Sequence, residues 1–107
     1  MEAKRIKFER TGGFAGIRLA ADIELAELPE DQVHQILDLL KDLDFDELPE
    51  QLSGGPPIAD GFTYSITVVS ETRQHTVTTS ETAAPEKMSS MLEILTQIAR
   101  QRARNKK

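Results

Sequence analysis

The chain has 107 residues, of which 38% are hydrophobic and 29% charged, and its formal net charge is −5. This size and composition predict one soluble globular domain, and no apolar run approaches the roughly 20 residues that a membrane-spanning helix needs. The acidic balance argues against general nucleic-acid binding. The absence of cysteine excludes disulfides and thiolate chemistry, and no secretory signal is visible, so we expect a cytoplasmic protein.

The first two segments, residues 4–10 and 17–25, alternate between apolar and polar residues and predict an antiparallel hairpin. A turn centred on residues 12–13 would place Phe8 opposite Ile17. The same register would place Ile6 opposite Leu19. The apolar faces of the two strands coincide in that register.

The turn of this hairpin is unusually rich in glycine and contains one aromatic residue. Its members are Gly12, Gly13, Phe14, Ala15 and Gly16. Phe14 falls off the alternating core set, which points it toward solvent, where an aromatic on a rigid scaffold is typical of a binding anchor. The alternative is a glycine-rich hairpin whose Phe14 folds back over a neighbouring loop.

A helix follows over residues 29–43, with proline and acids in its first turn. Its apolar stripe is Val33, Ile36, Leu37, Leu40 and Leu43. A long loop over residues 44–60 comes next, and its length permits a short helical turn over residues 45–48.

Residues 62–68 and 75–79 predict a second hairpin, and a last helix opens at Pro85. The apolar face of that helix is Met88, Met91, Leu92, Leu95, Ile98 and Ala99. The predicted order is β-β-α-β-β-α, an α+β fold in which a four-stranded antiparallel sheet carries both helices on one face. Residues 1–100 would form this single domain, and residues 101–107 a basic C-terminal tail whose role stays open.

Chain direction predicts a composite surface. If each strand and helix reverses the path, the first helix climbs and three loops meet at one end of the sheet: the glycine-rich turn, residues 54–58, and residues 80–84. The loop over residues 71–74 lies alone at the other end. Proline in the second of the three loops would lower the cost of ordering it on binding.

The candidate catalytic and metal-binding patterns in the sequence each lack residues or a local motif that the chemistry requires. Asp42, Asp44 and Asp46 resemble the start of a calcium loop, but the glycine and the bidentate glutamate that such a loop requires are missing. A triad of Ser70, His75 and Asp60 can be written down, yet no nucleophile elbow surrounds the serine. His75 is therefore interpreted as a partly buried strand residue, and we expect no catalytic residue, metal site or cofactor.

The segment from Lys7 to Ile17, centred on Gly12-Gly13-Phe14-Ala15-Gly16, resembles the opening of the emfourin family. The later blocks at Asp60 to Val68 and His75 to Val77, and an Ala-Pro step into a closing helix, are similar in order and spacing. The resemblance implies an intracellular protein inhibitor of thermolysin-like zinc metallopeptidases, protealysin among them. It also implies that the chain is not an enzyme.

The residue pattern and the family resemblance together predict that these loops form a wedge, which inhibits a peptidase by occupying its active-site cleft. We expect the free protein to be a monomer. We expect no nucleic-acid or membrane partner. The proposed binding residues are the glycine-rich turn with Pro56, Pro57, Ile58 and Ala83. The alternative is a non-inhibitory interaction module, adaptor or immunity-like, whose acidic helix over residues 30–50 binds a basic surface.

Overall fold

A computed structural model describes residues 3–12, 18–52, 62–80, 84 and 86–105, with side chains described as far as residue 102. The strands are β1 Arg5–Gly12, β2 Leu19–Glu24, β3 Gln51–Leu52, β4 Phe62–Val69 and β5 Gln74–Ser80. The helices are α1 Glu30–Leu43 and α2 Glu86–Asn105, and two 3₁₀ turns span Leu25–Glu27 and Phe45–Glu47.

The strands form one five-stranded mixed sheet in the order β2-β1-β4-β5-β3. The α+β class is as predicted, but the four-stranded antiparallel sheet is wrong, because β3 joins the edge of the sheet parallel to β5. The amide of Thr78 donates to the carbonyl of Glu50 at 2.7 Å as this pairing begins. A strand of two residues is too short to show alternation, so the sequence pattern could not predict it.

The register of the first hairpin also differs from the prediction. Phe8 lies opposite Ala21 and Ile6 opposite Ile23, and the last pair toward the turn is Arg10 with Leu19. The shift is four residues, an even number, so every side chain keeps the face that was predicted for it. The connection is consequently longer than a tight turn, and β1 continues to Gly12 by pairing with β4 instead.

The core lies between the helices and one face of the sheet. All six residues of the apolar face predicted for α2 are buried. On α1, Ile36 and Leu40 are buried, and the other three residues of the stripe are partly buried against the same core. The sheet contributes its inner face: Ile6, Phe8, Ile23, Ile66, Val68, Val77 and Thr79.

The first helix does not climb along the sheet as predicted. We call the end of the sheet at Gly12 the upper end and the end at Arg5 the lower end. The turn that precedes α1 is anchored at the lower end, where the amide of Leu25 donates to the carbonyl of Lys4 at 3.0 Å. The turn that follows α1 is anchored there too, with the Phe45 ring 5.6 Å from His75 at the start of β5. Because both ends of α1 are tied to the lower end, the helix crosses the strands, and β3 then carries the chain upward.

The short helical turn after α1 is confirmed, at Phe45–Glu47. Asp44 separates it from α1 in the left-handed conformation, with φ 49°, and its amide bonds back to the carbonyls of Leu40 and Lys41. This is a helix C-cap, so the middle residue of the calcium-like pattern has a structural task. Within the described residues, no helix is long and apolar enough to span a membrane.

Candidate functional site

The strand ends that flank the three predicted loops all lie at the upper end of the sheet. Gly12 is opposite Phe62, which places the exit from β1 beside the entry to β4. Ser80 is opposite Thr63, so β5 ends at the same level. Leu52 runs parallel to β5 and also exits upward. The gathering of these flanks is as predicted, although α1 takes a different path from the one that was assumed.

The loops themselves are largely outside the described residues. Of the proposed binding residues, only Gly12 is described; the remaining eight are Gly13, Phe14, Ala15, Gly16, Pro56, Pro57, Ile58 and Ala83. Their assignment to a binding surface therefore stays a prediction.

Gly12 is a strand residue with a special backbone, not the centre of a turn. Its φ of 96° lies in the region that only glycine adopts readily. It has no side chain on the inner face, where its partner on the neighbouring strand is Phe62.

A small aromatic cluster lies below Gly12 on the inner face. The rings of Phe62 and Tyr64 are 6.3 Å apart, and those of Tyr64 and Phe8 are 6.1 Å apart. The guanidinium of Arg10 lies 4.2 Å from the centre of the Phe62 ring, which is within the range of a cation–π interaction. The cluster connects the upper end of the sheet to the buried core at Phe8.

Sequence reasoning did not single out Arg10, although the signal was present. Arg10 follows Ile6 and Phe8 at period two, so alternation alone places a charged residue on the core face. A charge at such a position usually requires a partner.

Two members of the rejected triad, His75 and Ser70, have structural partners, and the third, Asp60, lies outside the described residues. His75 is partly buried, as predicted, and its Nε2 lies 2.8 Å from the carbonyl oxygen of Leu48. The hydroxyl of Ser70 bonds to the backbone of Arg73 within the lower hairpin loop. No group of three or more His, Asp or Glu within the described ranges is placed to hold a metal ion.

Two of the aspartates in the calcium-like pattern form ion pairs across the fold. Asp42 accepts from Lys87 at 3.0 Å, which ties the end of α1 to the start of α2. Asp46 pairs with Arg73 at 3.3 Å. Part of the negative charge of residues 30–50 is therefore neutralised within the fold.

An exposed ion pair between Lys4 and Glu71 lies at the lower end of the sheet. The Lys4 ammonium donates a hydrogen bond to this carboxylate and attracts it electrostatically, which lowers the pKa of Glu71. The pair joins the residue before β1 to the hairpin loop between β4 and β5, at the end of the sheet opposite the predicted binding surface.

The basic end of the chain begins as helix. The backbone of α2 continues to Asn105, and the guanidinium of Arg102 donates to the carbonyl oxygen of Asp22 at 2.9 Å. This contact attaches the last described turn of α2 to the edge strand β2. The division between a domain ending at residue 100 and a separate tail stays a prediction.

Comparison with protein families identifies one match. The model of the Emfourin family matches residues 8–96, which include all of the strands and α1 except the first three residues of β1, and more than half of α2. Comparison with curated proteins gives no match, and comparison with solved structures gives none.

Proposed function

This chain belongs to the emfourin family, and on that premise we propose that it is a protein inhibitor of a thermolysin-like, protealysin-type zinc metallopeptidase. The observation on which the proposal rests is the match over residues 8–96, because it extends over both hairpins, α1 and more than half of α2 rather than a single motif. Emfourins are inhibitors of metallopeptidases rather than enzymes, so the function to be explained is binding.

The proposed mechanism is steric occlusion of the active-site cleft by the loops at the upper end. The wedge would consist of the glycine-rich turn with Pro56, Pro57, Ile58 and Ala83. Its support is topological: the chain enters and leaves these loops from strand ends that lie side by side, at Gly12, Phe62 and Ser80. Loops held by adjacent strands can present one continuous surface with little ordering cost on binding.

The base beneath the wedge is suited to resist deformation. The Phe62, Tyr64 and Phe8 rings connect the upper end to the core, and Arg10 lies against Phe62. An inhibitor that occupies a peptidase cleft without being cleaved must hold its backbone in place, so such a base favours inhibition over the behaviour of a substrate.

The wedge is tested by changing its apolar anchor and its proline together. Phe14→Ala with Pro57→Gly should raise the inhibition constant about 30-fold or more, since loss of a hot-spot anchor costs roughly 2 kcal/mol or more. Thr72→Ala, at an exposed position of the lower hairpin loop, is the control and should leave inhibition unchanged. Undiminished inhibition by the folded double variant would refute the wedge while leaving the inhibitor function intact.

We further propose that the free protein is a monomer that acts in the cytoplasm, with a peptidase rather than nucleic acid or a membrane as its partner. The net charge of −5 and the absence of cysteine support this. Light scattering coupled to size-exclusion chromatography should give the mass of one chain, and a mass of two chains would contradict the monomer.

A further inference from the structure

A groove of about 480 Å³ lies between the upper half of the sheet and one face of α2. The sheet contributes Arg10 and Tyr64. The helix contributes residues at steps of three and four, which is one continuous face: Ser89, Leu92, Glu93, Thr96, Gln97 and Arg100. The groove thus has two cations, one carboxylate, several hydrogen-bonding groups and one buried aliphatic residue, Leu92.

Arg10 is the unusual member of this set. Its Nε is buried and has no hydrogen-bond partner. A buried donor without a partner is rare, because the group has lost water and gained nothing in exchange. Among the described side chains, no other buried nitrogen or oxygen atom lacks a hydrogen-bond partner.

The contact with Phe62 orients this guanidinium. The ring centre lies 4.2 Å from Cζ, within the range of a cation–π interaction. The N–H donors of arginine lie in the plane of the group and form a fork that matches a carboxylate. The ring therefore helps to hold the side chain in place, while the Nε–H still has no hydrogen-bond acceptor.

We propose that this groove is a binding site for a single carboxylate, held by Arg10 with Arg100 as the second cation. The groove favours a ligand with a single negative charge, because its two arginines and Glu93 together carry a net charge of +1. A dianion such as phosphate would leave the occupied groove with a net negative charge beside Glu93, whereas one carboxylate leaves it neutral. The site uses no residue of the proposed wedge, and the inference does not depend on the inhibitor function.

Two sources could supply this carboxylate: the C terminus of a peptide, or an acidic side chain. The probes are N-acetylglycine for the first, and for the second a capped tripeptide whose only carboxylate is a glutamate side chain. N-acetylglycinamide is the neutral control. The full chain is titrated at constant ionic strength, and the arginine Nε–H resonances are followed by NMR.

The expected result is a saturable shift of the Arg10 resonance with at least one of the two carboxylates and none with the amide. Arg10→Lys keeps the charge but loses the fork and should raise the dissociation constant at least tenfold. Arg100→Gln should raise it about threefold, and Glu93→Gln should lower it about threefold, since each changes one charge in the groove. Arg18→Gln, which removes an exposed arginine paired with Glu9 at 2.6 Å, should change nothing.

Arg100→Gln and Glu93→Gln change exposed residues of α2, so we expect both variants to fold. They test the carboxylate site even if Arg10→Lys does not fold. Saturation by either carboxylate, with opposite effects of the Arg100 and Glu93 variants, supports the site and identifies the source. Equal shifts with the amide, tighter binding of inorganic phosphate, or helix variants that bind like the parent protein would overturn it.

Discussion

Replacing Gly12 by alanine should destabilise the domain, because the residue has a backbone that alanine tolerates poorly. Its φ is 96°, and a left-handed conformation costs a residue with a Cβ roughly 1–2 kcal/mol. The new methyl group would also project onto the inner face beside Phe62. Weakening of the contact between Phe62 and Arg10 would add roughly 0.5–1 kcal/mol. The expected loss in free energy of unfolding is therefore about 2 kcal/mol.

Urea denaturation followed by circular dichroism measures this loss, which should appear as a lower midpoint with an unchanged slope. In a thermal scan the same loss corresponds to a decrease in Tm of about 8 °C or more for a domain of this size. Asp44→Gly is the matched control, since Asp44 has a φ of 49° and glycine relieves that conformation. It should be neutral or slightly stabilising. A loss below about 0.5 kcal/mol for Gly12→Ala, the range of ordinary surface substitutions, would refute the argument.

Three further predictions concern the core, the lower end and the binding mode. Phe45→Ala removes a buried ring and should cost about 3–5 kcal/mol in urea denaturation; a cost below about 1 kcal/mol would mean that the turn after α1 does not seal the core. Lys4→Met should raise the pKa of Glu71 toward its ordinary value in a carboxyl-carbon NMR titration, and an unchanged pKa would contradict the pairing. Because pairing lowers the pKa of Glu71, its stabilising effect is present above the ordinary glutamate pKa and is lost as the pH falls through the lowered value. The association rate with a target peptidase should change by less than about threefold between low and moderate salt if apolar loops bind, whereas a steep decrease would favour the acidic helix as the interface.

Much of the fold follows from periodicity alone. The apolar face of α2 and the inner face of the sheet were predictable because a long helix or an eight-residue strand repeats its signal several times. Even the wrong register of the first hairpin kept its faces, since Phe8 is shifted from Ile17 to Ala21 by an even step.

The wrong structural predictions concern elements that are too short to show a periodic pattern, or features that depend on tertiary contacts. The strand Gln51–Leu52 has no repeat to detect, and the path of α1 depends on contacts such as that of Phe45 with His75, far apart in sequence. Gly12 looked like a turn residue because glycine marks turns and strained strand positions alike. Only its pairing with Phe62 on β4 distinguishes the two.

The strand ends that flank the candidate site were predictable from the sequence, whereas the binding role of the loops themselves stays a prediction. The convergence of loops at one end follows from the direction of the strands, and the strand ends at Gly12, Leu52 and Ser80 agree with it. The role of Arg10 depends on a contact with Phe62 that no spacing rule encodes.

The central claim is inhibition, and the most direct test is to titrate a protealysin-type peptidase with this chain while following cleavage of a peptide substrate. We predict a stoichiometric loss of peptidase activity, with the added chain recovered intact. Full activity at a large excess of the chain across a panel of thermolysin-like peptidases, or cleavage of the chain as a substrate, would contradict the proposed function.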